Sequence, residues 1–400
     1  MGDYSRQEAA ERAGISLEEL NQLVELGILT PREGDRLTSG DVRKAGLVRS
    51  LGATGVPLEG IGAAVRSGTF PLEFMDSPAY ERFSVLSSET FREVSQRTGI
   101  PVDFLMVIRE AAGSAQPSPD DRVREAELAV LPLGELFLGA GLRPVAVERV
   151  LRVYGESLRR IAEVEADFWR TEVIMPLLAA GSLATDVTQG KLAEEFSARA
   201  DDAVLALLHL HQTHAWTANI IAGFELVMDQ AGLHRRLERP PAMCFLDLTG
   251  YTRLTAERGD EAAAQLATDL SRLVQRTSVQ HGGKPVKWLG DGVMFYFPDP
   301  GPGVVAALEM AEGVTNAELP PAHVGLHAGP VVFQEGDYFG QTVNVASRIA
   351  EYARPGEVLV SQAVVDAASG APVAFTDIGE VELKGVSGAV HLHAAHRGGS

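Results

Sequence analysis

Apolar positions recur every three to four residues through the first 235 positions, then give way near position 240 to short apolar runs alternating with helical stretches. Ser5-Arg6-Gln7-Glu8 has the form of a capping box and opens an apolar-periodic run that stops at Gly14. Ser16-Leu17-Glu18-Glu19 opens a second run, which stops at Gly27. Two short helices joined by a glycine turn predict a helix-turn-helix. Residues 31–36 read as a turn or wing, and 41–51 and 58–66 as further helices. The pattern returns once, about 85 residues on: Glu8, Arg12, Gly14, Ile15, Leu20 and Glu25 are echoed by Glu93, Arg97, Gly99, Ile100, Leu105 and Glu110. Val42-Arg43-x-Ala45 is echoed by Val123-Arg124-x-Ala126, and Gly55-Val56-Pro57 by Gly141-Leu142 before Pro144. Two tandem helical units are predicted, 1–70 and 82–155, joined by a 71–80 linker.

Helical periodicity continues over 145–233 and includes a long run at 203–230. Arg235-Arg236-Leu237-Glu238-Arg239-Pro240-Pro241 ends it, because paired prolines remove amide donors and clash with the preceding turn. Past this 235–241 linker, strands are predicted near 243–248, 286–289, 293–297, 323–327 and 358–361, and helices at 261–280, 304–318 and 340–352. The expected organisation is a helical region to 234, with 1–70 as its first module and 71–234 as its body, and an α+β domain over 242–400. The most apolar stretch, 203–228, is interrupted by His209, His211, Gln212, His214 and Asn219, so no transmembrane segment is expected.

A length of 400 residues agrees with two or three domains, and 45% apolar with 22% charged residues excludes wholesale disorder. The net charge of −19 disfavours nucleic acid or anionic membrane as a chain-wide partner. One cysteine, Cys244, allows no internal disulfide, and Met1-Gly2-Asp3-Tyr4-Ser5-Arg6 starts no signal peptide; a cytoplasmic location is expected. Lysine is scarce, at Lys44, Lys191, Lys284, Lys287 and Lys384, while arginine supplies nearly all other positive charge.

Residues 1–70 resemble the N-terminal winged helix-turn-helix of MerR-type regulators. A DNA-reading second helix should be basic, yet 17–26 carries Glu18, Glu19 and Glu25 and no arginine or lysine. Ten acids face eight bases across 1–70. The module reads as a degenerate helix-turn-helix serving protein or ligand contacts.

Phe245-Leu246-Asp247-Leu248-Thr249-Gly250-Tyr251-Thr252 is an apolar strand ending in a carboxylate, then a glycine turn whose amides could cradle phosphate. Lys287-Trp288-Leu289-Gly290-Asp291-Gly292-Val293-Met294 reads as a hairpin with a second carboxylate at its turn. Singly, Asp247 reads as well as a helix N-cap and Asp291 as a turn former. Lys287, Asn344, Arg348 and Lys384 could equally be ordinary surface groups.

In order, these motifs and Asp337-Tyr338-Phe339-Gly340-Gln341-Thr342-Val343-Asn344-Val345-Ala346-Ser347-Arg348 resemble the catalytic domain of class III nucleotide cyclases across 240–396. The resemblance implies a ferredoxin-like α+β fold and an adenylate cyclase forming 3′,5′-cyclic AMP and pyrophosphate from ATP. It implies Asp247 and Asp291 as ligands of two Mg²⁺ or Mn²⁺ ions, and Lys287 with Asp337 as the pair that reads adenine. It further implies Asn344 on the ribose, Arg348 on the α-phosphate, Lys384 on the terminal phosphates, and Gly250, Tyr251 and Thr252 in the phosphate turn. Metal residues of one subunit and the Asn/Arg pair of the other meet in this family, so a homodimer is implied.

Residues 41–235 resemble, more loosely, the helical regulatory domain of actinobacterial adenylate cyclases, some of which respond to pH. The shared features are Gly55-x-Pro57, the segment 88–105, Gly141-Leu142-Arg143-Pro144, 163–172 and the long last helix. His209, His211 and His214 do not share one helix face and so form no three-histidine metal site; partial burial is expected for them, with a pH switch as the sharper reading. The apolar content leaves room for a small-molecule or lipid effector. The alternative function is a nucleotide-sensing transcription regulator that binds DNA through 1–70.

Overall fold

In the computed structural model, the described residues are 3–77, 80, 85–111, 113–181, 191–233, 239–251, 256–257, 259–317 and 319–398. The chain forms two compact units, Met1–Ala222 and Gly223–Ser400. Among the described residues, no helix is long and apolar enough to cross a membrane.

The first unit is helical, with two small two-stranded ribbons added. Strand β1 (Asp3–Tyr4) leads into α1 (Arg6–Ala13) and α2 (Leu17–Glu25); β2 (Leu37–Thr38) pairs back on β1 and leads into α3 (Ser39–Ala53) and α4 (Leu58–Arg66). The same order returns as β3 (Leu86–Thr90), α5 (Phe91–Thr98) and α6 (Val102–Ala111), then β4 (Arg122–Arg124), paired with β3. Three helices follow: α7 (Glu125–Leu128), α8 (Leu131–Gly139) and α9 (Pro144–Phe168). The echoed residues do equivalent work. Glu8 closes a capping box on Ser5 and Glu93 one on Thr90, while Gly14 and Gly99 end their helices at φ 69° and 74°. Leu20 and Leu105 are both buried, as are Val42 and Val123. Each set packs its own apolar core. Arg12 to Glu125 at 2.5 Å and Arg122 to Glu11 at 2.8 Å fasten the two sets. In the second set a buried bidentate pair joins Arg109 and Glu127, both contacts at 2.7 Å.

Helix α9 continues through a wide turn (Trp169–Ile174) into α10 (Met175–Ala179), and α11 (Lys191–Gln230) is a 40-residue helix. Leu205, Leu208, Trp216, Ile220 and Phe224 are exposed along it. His209, His211 and His214 are exposed as well, which corrects the expectation of partial burial: this part of α11 is open nearly all round.

In the second unit, β5 (Ala242–Leu248), α12 (Asp260–Gln280), β6 (Lys284–Leu289), β7 (Gly292–Phe297), α13 (Pro300–Asn316) and β8 (Ala322–Ala328) make a βαββαβ set. Its strands lie in the order β8-β5-β7-β6, all antiparallel, which is the ferredoxin-like arrangement implied by the family resemblance. A ribbon of β9 (Val332–Gln334) and β10 (Asp337–Phe339) precedes α14 (Gln341–Tyr352), which crosses over to β11 (Val358–Ser361), parallel to β8. Helix α15 (Gln362–Ala367) and the hairpin β12 (Val373–Glu382) and β13 (Ala389–Arg397) complete a seven-stranded sheet. Strand β5 is held between β7 and β8 and is buried almost throughout. Its Cys244 is wholly buried, and burial pushes that thiol pKa up.

Candidate active site

Asp247 stands at the penultimate position of β5, and Asp291 in the tight turn between β6 and β7. Pairing of Leu246 with Val293 sets that turn beside Asp247. Gly292 makes the approach possible, since a Cβ there would lie 3.0 Å from Asp247 Oδ1. Burial pushes the Asp247 carboxyl above its ordinary range, the charge of Asp291 adds to this, and His323 opposes it. His323 lies directly across on β8, with Nε2 3.5 Å from Asp247 Oδ2 and Nδ1 3.2 Å from Thr249 Oγ1. Two crowded carboxylates are all-oxygen donors with unmet negative charge, a set that fits a hard divalent cation. Gly250 turns the chain out of β5 at φ 81°, and Tyr251 packs against the core below. Thr252 lies outside the described residues.

On the neighbouring edge, Lys287 of β6 forms an ion pair with Asp337, the first residue of β10. Asp337 also accepts the Tyr338 amide at 2.8 Å. Lys284 lies over the rings of Tyr296, Phe333 and Tyr338, at 5.7, 5.4 and 5.4 Å, and burial lowers its pKa. Strict alternation would put Lys284 and Lys287 on opposite faces of β6; the irregularity between Pro285 and Lys287 turns both toward the β9–β10 ribbon.

Helix α14 buries Thr342, Val345, Ala346, Ile349 and Ala350. Asn344 and Arg348, one turn apart, are left on the open side. Gly325 of β8 lets the helix lie this close, since a Cβ there would fall 2.1 Å from the Ala350 nitrogen. Arg348 donates to Glu351 at 2.5 Å, which raises its pKa further. Lys384 is exposed, just past the end of β12. The structure thus brings together Asp247 with Asp291, and Lys287 with Asp337. Among the described residues, Asn344, Arg348 and Lys384 form no ion pair or hydrogen bond with the two aspartates. Sequence reasoning missed His323 and the aromatic seat of Lys284; both depend on strand register, which no local pattern carries.

Residues 238–396 match the family described as Adenylate and Guanylate cyclase catalytic domain, and residues 37–214 the family described as Adenylate cyclase regulatory domain. A protein of Mycobacterium tuberculosis named pH-sensitive adenylate cyclase is 30% identical over 319 residues, covering 77% of this chain and 78% of its own. An adenylate cyclase of Streptomyces griseus is 28% identical over 274 residues, covering 68% of this chain and 66% of its own. Among solved structures, the adenylyl cyclase CyaB of P. aeruginosa covers 40% of this chain and 96% of its own, at 23% identity and a TM-score of 0.36.

Proposed function

This chain belongs to the adenylate cyclases that carry a regulatory domain ahead of a class III catalytic domain, and from that premise we propose that it converts ATP to 3′,5′-cyclic AMP and pyrophosphate between two copies of itself. The observation that carries the reading is the adjacency of Asp247 and Asp291, where burial and then the charge of Asp291 lift the Asp247 carboxyl pKa. These two would hold two divalent cations, Mg²⁺ or Mn²⁺, which supply charge neutralisation on the triphosphate and acidify the ribose 3′-hydroxyl.

The chain's own groups do the rest. Lys287 donates to adenine N1 and Asp337 accepts from the N6 amine; their ion pair keeps both ordered until the base arrives. The turn at Gly250, Tyr251 and Thr252 cradles phosphate. Asn344 orients the ribose as its 3′-oxygen bonds to the α-phosphorus and the bond to the leaving pyrophosphate breaks. Arg348 stabilises the charge that develops on the α-phosphate, and Lys384 contacts the terminal phosphates. Arg348 must first leave Glu351, an exposed pair that costs little to part.

As the resemblance to class III cyclases implies, the Asn344–Arg348 side of each chain serves the partner's Asp247–Asp291 side in a homodimer. The helical region governs the catalytic domain in response to a signal such as pH or an apolar ligand. The 1–70 module acts in that regulation as a MerR-like but degenerate helix-turn-helix. A DNA-binding role gains nothing, because α2 carries three acids and no base. The protein works in the cytoplasm.

Mixing the variants tests the shared site. Asp247→Ala and Arg348→Ala chains alone fall by about a hundredfold or more in Mn²⁺-supported turnover. An equal mixture recovers about one quarter of wild-type activity, because half the dimers then hold one intact site. No recovery between variants that still dimerise defeats the shared-site reading.

A further inference from the structure

We propose that Asp377, His391 and His393, on the last two strands of the sheet and separate from the residues above, form a binding site for one divalent transition-metal ion such as Zn²⁺. His391 and His393 are two residues apart on β13, so both imidazoles stand on one face. The register sets Asp377 of β12 opposite His393 and Glu380 opposite His391, with a bulge between Asp377 and Gly379 that swings the carboxylate toward both rings. One donor atom from each of the three lies within 4.8 Å of the others. Asp377 Oδ1 is 2.6 Å from His391 Nε2 and 3.8 Å from His393 Nδ1. Donors around a tetrahedral ion with bonds of about 2.0–2.1 Å stand about 3.3 Å apart, and these two contacts bracket that value.

The remote ring nitrogens already have partners. His393 Nε2 is 2.7 Å from Gln362 Oε1, and His391 Nδ1 is 3.3 Å from Glu380 Oε1. Each oxygen is an acceptor, so each remote nitrogen carries its proton outward and the ring orientations are held. His391 Nε2 carries a proton too, donated to Asp377 Oδ1 at 2.6 Å, and a bound ion takes the place of that proton. Two nitrogens and one oxygen select Zn²⁺, Co²⁺, Ni²⁺ or Cu²⁺ over Mg²⁺, unlike the all-oxygen Asp247–Asp291 pair. Asp377 is exposed, which gives an ion a way in and leaves its fourth position to water. An ion here fastens β12 to β13, whose connection carries Lys384.

The full-length protein, stripped with EDTA and held in excess Mg²⁺, is titrated with Co²⁺ and read by visible absorption. The expected result is one equivalent bound, with the d–d bands of a four-coordinate site containing nitrogen, displaced by Zn²⁺. His391→Gln removes a half-buried ligand and should weaken binding by about tenfold or more, while Asp247→Asn leaves the bands unchanged. Circular dichroism confirms that both variants are folded. An unchanged Co²⁺ titration in His391→Gln, or no nitrogen-ligated band in wild type at micromolar Co²⁺, overturns the proposal.

Discussion

Asp247 and Asp291 crowd one another because Gly292 offers no side chain to keep them apart. A carboxyl whose folded pKa is raised contributes stability that is present below the ordinary carboxylate range and lost as pH rises through the raised value. At neutral pH without divalent cations the pair therefore works against folding. Asp247→Asn should melt above wild type in EDTA, lose the stabilisation that Mg²⁺ gives wild type, and drop turnover by about a hundredfold. A lower melting point in EDTA would count against the crowding argument. His327 shows the opposite sign: burial lowers its pKa, and its Nδ1 lies 2.7 Å from the Ser361 hydroxyl. Its contribution is present above the ordinary imidazole value of about 6.5 and lost as pH falls through the depressed one. His327→Gln should flatten the acid side of the urea-stability profile and leave the alkaline side alone. The strand-end positions of Asp247 and Asp291 were both legible in the sequence, the first three residues before Gly250 and the second between Gly290 and Gly292. His323 was not, since its place opposite Asp247 depends on which strands pair.

Helix α14 illustrates what an element adds to its residues. It carries Asn344 and Arg348 on one side and rests its buried side where Gly325 leaves room on β8. Gly325→Ala has to push the helix away from the sheet, a strain worth about 1–3 kcal/mol. The two side chains shift with it, so kcat should fall by about tenfold or more while KM for ATP changes less. Equal kcat with a lowered melting temperature would mean that the helix position is slack. The capping boxes at Ser5 and Ser16 were readable because each lies within four consecutive residues; the one at Thr90 went unread. Strands β1 to β4 escaped notice, since elements of two to five residues are too short to show alternation. The irregularity in β6 is equally silent, though it decides which way Lys287 points.

Across the whole molecule, the echo between residues 8–25 and 93–110 proved to be a doubled β-α-α-β order with matched caps and matched buried leucines. The ion pairs that join the two sets were beyond sequence reasoning, because Arg12 and Glu125 lie 113 positions apart. The exposure of the histidines on α11 was likewise hidden, as helical periodicity gives a face but not what covers it. Cys244, three positions before Asp247 on the inner strand β5 and closed to solvent, gives the chain a built-in reporter. A thiol reagent can reach it only when the middle of the sheet opens, so its labelling rate in the native protein measures the free energy of that opening. Because no other sulfhydryl competes, a cysteine introduced on the surface can carry a dye while the native one stays silent, and distances across the proposed homodimer become measurable in solution.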